Sequence, residues 1–318
     1  MFDPRRRDFL AKSGLFALSS LLPWQSIDSF FIPQRQFKLC LNPGAIGVEL
    51  SQLELLQKAI EHGYEAIVPF PNQLAVMRDE QLNEILDLMK INQISWGAAN
   101  LPLDFRGDVF KYKDGLARLI DSIDAMRWAG AESMSTWIMP THADLTYRKN
   151  FNLHLSRLRE VADILSQNNI KLGLEYVGPR TLMNKERYPF IRTMAECLEL
   201  IGAIDRANVG IQLDAFHWYC AGESKEDILK LDPNRIVTVD LNDAKAGRNR
   251  DEQLDWEREL PADTGIVDIE SFLSALVEIG YTGPVRAEPF NEELNKLETD
   301  QALQKTMNAM KNAVSKMY

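Results

Sequence analysis

Cysteine is scarce in this chain: Cys40, Cys197 and Cys220 form an odd count without framework spacing, which excludes a fold held together by disulfides. Positive charge is short as well, with 36 Lys and Arg against 46 Asp and Glu and a net charge of −10. Polyanion binding draws most of its affinity from Lys and Arg neutralising phosphates, so no nucleic-acid partner is expected. No stable membrane span is expected either. The apolar stretch from Gly14 to Leu22 falls well short of the roughly 20 residues that a spanning helix needs. No G-x-G-x-x-G follows the first strand-like run, which argues against an open dinucleotide-binding sheet. After Phe37 there is no linker, low-complexity run or tandem repeat.

What is present begins with a leader. Arg5, Arg6 and Arg7 run into Asp8, Phe9 and Leu10 and then the short apolar stretch, close to the twin-arginine export pattern, although no Ala-x-Ala cleavage site stands out. Residues 1–36 are therefore expected to be a twin-arginine-type signal peptide and leader, and the protein to be periplasmic or otherwise exported. A basic amphipathic first helix of a cytoplasmic protein is the alternative. Residues 37–318 suit one large α/β domain.

Within that domain, short apolar or β-branched runs alternate with longer amphipathic stretches, as they must when each parallel strand needs a crossover helix to bring the chain back. The expected strands are Lys38 to Leu41, Ala66 to Pro69, Ser95 to Ala99, Ser133 to Ile138, Lys171 to Tyr176, Asn208 to Leu213, Ile236 to Leu241 and Val285 to Glu288. Helical spacing of apolar residues lies between them, as in Leu53, Leu55, Leu56 and Ile60, and a last helix is expected over Asp300 to Met317. Gly63, Gly130, Asn169 and Gly283 read as helix C-caps ahead of strands. His62 and His154, the latter expected to open a helix, read as surface or packing residues. Eight strand and helix pairs predict a (β/α)₈ TIM barrel.

In such a barrel the reactive groups sit at the C-terminal ends of the strands. Glu175, Asp214, Asp240 and Glu288 end or interrupt four consecutive apolar runs. Converging carboxylates repel and raise one another's pKa unless a cation neutralises them. A divalent metal is the simplest remedy; oxygen ligands favour Mn²⁺ or Mg²⁺, with Co²⁺ or Zn²⁺ also compatible. Salt bridges to Arg286, Lys171 or other neighbours are the alternative for some of the four, above all for Asp240.

The chain resembles the xylose isomerase-like TIM barrel superfamily, and within it the sugar phosphate isomerase/epimerase family, over nearly all of Phe37 to the C terminus. The resemblance rests on Gly173-Leu174-Glu175, Gln212-Leu213-Asp214 with Phe216-His217, Leu241-Asn242-Asp243, Arg258-Glu259-Leu260-Pro261 with Thr264-Gly265, and Gly280-Tyr281-Thr282-Gly283-Pro284 leading to Glu288-Pro289-Phe290. It implies a metal held by Glu175, Asp214, the position of Asp240, and Glu288. That family usually has histidine where Asp240 stands, so the site here is more anionic. It also implies acid and base roles for Glu175 and Glu288 on either face of a carbon beside a carbonyl, and substrate contacts from His217 and Arg258. His142 after the fourth strand and Trp137, whose ring could stack on a sugar, are further substrate-binding candidates.

The expected function is an exported, metal-dependent sugar isomerase or epimerase that abstracts a proton next to a carbonyl through a metal-stabilised enediolate. One alternative is a lyase or dehydratase that expels a β-substituent from a keto sugar or 3-keto-glycoside. A non-catalytic sugar-binding barrel is another. An apurinic-site endonuclease of this fold would need a basic face and a histidine-rich metal site, which four histidines and the acidic balance argue against. The expected partner is a small sugar or sugar derivative, and a homo-oligomer is compatible with the sequence.

Overall fold

Parallel strands alternate with helices from Lys38 to Ser315 in the computed structural model, which describes residues 34–318. The leader expected over residues 1–36 lies outside the described residues except for Gln34, Arg35 and Gln36. Arg35 is fastened to the barrel body: its guanidinium grips Glu65 through two hydrogen bonds of 2.7 and 2.9 Å, and its amide donates to the Tyr318 hydroxyl.

The barrel is built from β1 (Lys38–Leu41), β2 (Ala66–Ile67), β3 (Ser95–Trp96), β4 (Ala99–Asn100), β5 (Ser133–Ile138), β7 (Lys171–Tyr176), β9 (Val209–Asp214), β10 (Ile236–Leu241) and β11 (Pro284–Ala287). Their lateral order is β3-β2-β1-β11-β10-β9-β7-β5-β4. The two ends of that order are one expected strand interrupted at Gly97 and Ala98. Ser95 and Trp96 pair with β2, and Ala99 and Asn100 pair with β5, so the sheet closes into a TIM barrel of eight strand positions. A Cβ at Gly97 would meet the Cys40 sulfur at 2.7 Å, so glycine lets the interrupted strand pass over that side chain. Two further segments, β6 (Thr141–His142) and β8 (Tyr188–Pro189), form a separate antiparallel pair that the sequence pattern did not suggest.

All six residues of β9 and of β10 are buried, as parallel strands are when helices cover the sheet. Helix Gln52–His62 shows how a crossover is defined locally. Ser51 and Glu54 form a reciprocal cap at its start, Leu55, Leu56 and Ala59 face the core, and left-handed Gly63 (φ 77°) ends it. Gly130 and Asn169 also adopt the left-handed conformation expected of them, with φ of 68° and 57°. Gly283 does not cap a helix. That role falls to Gly280 (φ 76°), whereas Gly283 leaves room for the Tyr281 ring, whose hydroxyl a Cβ would meet at 2.4 Å.

The last helix covers Thr299–Ser315. His154 does not open its helix, which begins at Tyr147; it is buried farther along, packed on Phe105 and Phe190 with ring centroids 5.3 and 4.8 Å away. All three cysteines are free and buried. Among the described residues, no helix is long and apolar enough to cross a membrane.

Candidate active site

Four neighbouring strand positions bring four carboxylates together. Glu175 belongs to β7, Asp214 ends β9, Asp240 belongs to β10, and Glu288 follows β11 directly. The register sets Asp240 opposite Asp214 on one side and Arg286 on the other, and Glu175 opposite Gln212. One oxygen from each of Glu175, Asp214, Asp240 and Glu288 lies within 4.8 Å of the others, and a second grouping joins Glu175 and Asp214 with His217.

Two guanidiniums hold this cluster together. Arg258 donates through Nη1 to Asp214 Oδ2 and Glu288 Oε2, both at 3.1 Å, and through Nη2 to Asp255 Oδ1 at 2.8 Å. Arg286 grips both oxygens of Asp240, and Gln212 donates to Asp240 Oδ2 at 2.7 Å. Asp214 receives the backbone amide of His217 on Oδ1 and Asn242 Nδ2 on Oδ2, each at 2.8 Å, and so caps the helix Ala215–Ala221.

The loop that carries Arg258 is tied down by Asp243. Oδ1 accepts the amides of Ala244 and Val267, and Oδ2 accepts those of Thr264 and Gly265. Asp243 and the Thr264-Gly265 turn therefore hold the loop that carries Arg258, and Asn242 supports Asp214 directly.

Five carboxylates, counting Asp255, face two guanidiniums, so a fully ionised site carries an excess of negative charge. Burial raises the Glu175 carboxyl well above its usual range, and the charges of Glu288, Asp214 and Asp240 add to the effect. Burial and Asp240 push Glu288 up to about 8, against the pull of Arg258 and Arg286. Burial lowers the His217 imidazole, which is therefore neutral at pH 7. With Arg258 Nη2 3.3 Å from Nε2 and donating to it, the His217 proton belongs on Nδ1.

The donor set fits a divalent cation. Glu175 Oε1 is buried without a hydrogen-bond partner, 3.9 Å from His217 Nε2 and within a cluster of four carboxylates. Glu175, Asp214 and Glu288 would hold the ion. Asp240 is close enough to join them, but both of its oxygens are engaged by Arg286 and Gln212.

Glu175 and Glu288 open onto a cavity of about 450 Å³, within the range of small-molecule sites. Trp137, Arg106, Asn100 and Arg286 also line it. Trp137 is 40% exposed, and the Arg106 guanidinium stacks 4.1 Å from its ring centroid. His217 and Arg258 lie buried behind the carboxylates.

His142 is not among the residues lining this cavity. Its Nδ1 accepts the backbone amides of Asp144 and Leu145, both at 3.0 Å, and orders the turn after β6. Phe290, also in the cavity wall, holds φ at 38°, a strained value for a non-glycine residue, beneath the Arg258 guanidinium. Sequence reasoning did not assign Gln212, Arg106, Asn100 or Phe290 to the site, and it treated Arg286 only as a salt-bridge partner. For Gln212 and Arg286 a signal exists: each stands two residues before a site carboxylate, on the same face of its strand.

The sequence profile of the xylose isomerase-like TIM barrel family matches residues 56–313. The chain is 25% identical to an inosose isomerase of Bacillus velezensis over 289 residues, covering 88% of this chain and 98% of that protein. A 3-dehydroshikimate dehydratase of Pseudomonas aeruginosa is 28% identical over 138 residues, 42% of this chain and 20% of that protein. A crystal structure of the IOLI protein with a bound zinc atom superposes with a TM-score of 0.74 at 23% identity, covering 89% of this chain and 99% of that one.

Proposed function

The chain belongs to the xylose isomerase-like TIM barrel family, and from that premise we propose that it is a metal-dependent isomerase or epimerase of a keto sugar or keto polyol. The observation that carries this reading is the pair Glu175 and Glu288: one buried carboxyl and one mostly buried, both pushed above the usual carboxylate range, opening onto one cavity. The inosose isomerase and the zinc-containing structure among its relatives support it.

A divalent cation held by Glu175, Asp214 and Glu288 would supply Lewis-acid polarisation of the substrate carbonyl, and enough positive charge to ionise one glutamate while the other keeps its proton. The ionised glutamate takes the proton from the carbon beside the carbonyl, and the protonated one returns a proton from the other side. Arg258, locked by Asp214 and Asp255, holds Glu288 in place through Nη1. The face of Trp137, exposed in the cavity wall, is the sugar contact, and neutral His217 stands behind Glu175 with Nε2 3.9 Å from its Oε1. The oxygen donors favour Mn²⁺ or Mg²⁺, with Zn²⁺ or Co²⁺ also compatible.

The same proton abstraction followed by loss of a β-substituent would make the protein a lyase, and the dehydratase relative favours carrying this second reading. The arginine triplet at residues 5–7 supports export. Outside the cytoplasm a free sugar or glycoside-derived ketone is a better substrate than a sugar phosphate. Replacing Arg6 and Arg7 by Lys should then leave the protein in the cytoplasm on cell fractionation; unchanged export would remove the twin-arginine reading.

The function is tested by proton NMR in D₂O of the metal-loaded protein with inosose, 3-keto-glycosides and free ketoses. Deuterium should enter beside the carbonyl and stop on chelation, and the products then separate epimerase from lyase. No incorporation with any metal would leave a sugar-binding barrel.

A further inference from the structure

We infer that Arg286 is a substrate-contacting residue of this site and that Asp240 holds Arg286 in place rather than ligating a metal ion. What Arg286 touches rests on the sugar reading above; what Asp240 does rests on geometry alone.

Asp240 and Arg286 face each other across the pairing of β10 with β11. Their side chains are 0% and 3% exposed, and the guanidinium meets the carboxylate through Nε on Oδ1 and Nη2 on Oδ2. Gln212 supplies a third donor on Oδ2. To ligate a cation, Asp240 would have to give up part of this fork and turn toward a second positive charge beside the first. Glu175, by contrast, keeps an unpartnered oxygen, and no guanidinium forks across both oxygens of Asp214 or Glu288: the two share a single Nη1 of Arg258, and the other donors to Asp214 are the uncharged His217 amide and Asn242 Nδ2. Three carboxylates thus remain for an ion without disturbing the Asp240 pair.

The fork uses two of the three nitrogens of Arg286. The third, Nη1, is buried and has no partner among the described residues, a costly state for a charged donor. Arg286 lines the cavity that Glu175 and Glu288 share. A ligand oxygen brought there would satisfy Nη1 and place an always-charged donor beside the reacting carbon. Such a donor gains most when that oxygen becomes more negative, as a carbonyl oxygen does on enolisation. The ligand class is a polyol ketone with an acceptor oxygen next to the carbon that loses its proton.

Three variants test this, with Zn²⁺ and inosose as calorimetric probes and thermal melting as the check on folding. Removing both charges in Asp240→Asn/Arg286→Met should leave Zn²⁺ affinity within about tenfold of wild type, whereas Asp214→Asn should lower it more than about a hundredfold. An equal loss in both would overturn the role given to Asp240. Arg286→Lys keeps the charge beside Asp240 and removes the fork; it should weaken inosose binding about ten- to a hundredfold. Unchanged binding in Arg286→Lys, or no binding by wild type, would overturn the role given to Arg286. Inosose that binds wild type without taking up deuterium would end the enolisation reading and leave the Arg286 assignment standing.

Discussion

The two halves of the barrel mouth are built differently. Strands β7, β9 and β10 are six residues long, and with β11 they deliver Glu175, Asp214, Asp240 and Glu288, braced by Arg258 and Arg286. On the other side β2, β3 and β4 have two residues each, and the cavity wall there and at the end of β5 is made of neutral and aromatic groups, Asn42, Asn100, Thr136 and Trp137, with Arg106 alone charged. Carboxylates pressed within a few ångströms of one another need a rigid frame to hold them against repulsion. A wall that offers shape and stacking does not, so substrate preference can change on that side without disturbing the acids opposite.

This contrast is broken most severely on the carboxylate side. Glu175→Gln or Glu288→Gln should lower turnover about 10²- to 10⁴-fold, read as initial rate on whichever ketone wild type converts. Next is Arg258→Met, which leaves the buried Asp214 and the mostly buried Glu288 without their cation; the metal-free protein should lose about 3–5 kcal/mol, read from urea unfolding.

A third effect of similar kind lies just behind the acids. Burial pushes the Glu223 carboxyl up from 4.5 to about 7, against hydrogen bonds from Tyr176 and the Met194 amide. Between those values the folded protein binds more protons than the unfolded chain. Its stability should therefore be greatest at the acid side of the window and fall as pH rises through it, by about 3 kcal/mol. Glu223→Gln should flatten that slope; an unchanged slope would place its origin in another group.

On the neutral side the effects shrink. Trp137→Ala should raise KM about tenfold with kcat nearly constant, the signature of lost uniform binding. His142→Ala, remote from the cavity wall, should change both constants by less than about twofold. A large kcat effect from Trp137→Ala would erase the division between the halves.

The carboxylate half was also the more legible in sequence. Val209-Gly210-Ile211-Gln212-Leu213 and Ile236-Val237-Thr238-Val239 announce buried strands, and a carboxylate at or near the end of each stands out against them. In the other half, Ala66–Ile67 and the strand interrupted at Gly97 are too short to impose a period, so their limits were overdrawn. The β6 and β8 pair joins residues nearly fifty positions apart that carry no alternating pattern. The sequence offered a salt bridge to Arg286 as the alternative for Asp240, but the choice between that and a metal depends on the register between β10 and β11, which no local pattern encodes. Gly283 was mistaken for a cap because its place before a strand looked right, while the positive φ belongs to Gly280.

The most direct test of the account is deuterium uptake from D₂O at the carbon beside the substrate carbonyl, followed by NMR for wild type, Glu175→Gln and Glu288→Gln side by side. Uptake in wild type that disappears in both variants is the predicted result. Uptake at the wild-type rate in either variant would contradict the assignment of Glu175 and Glu288 as the acid and base.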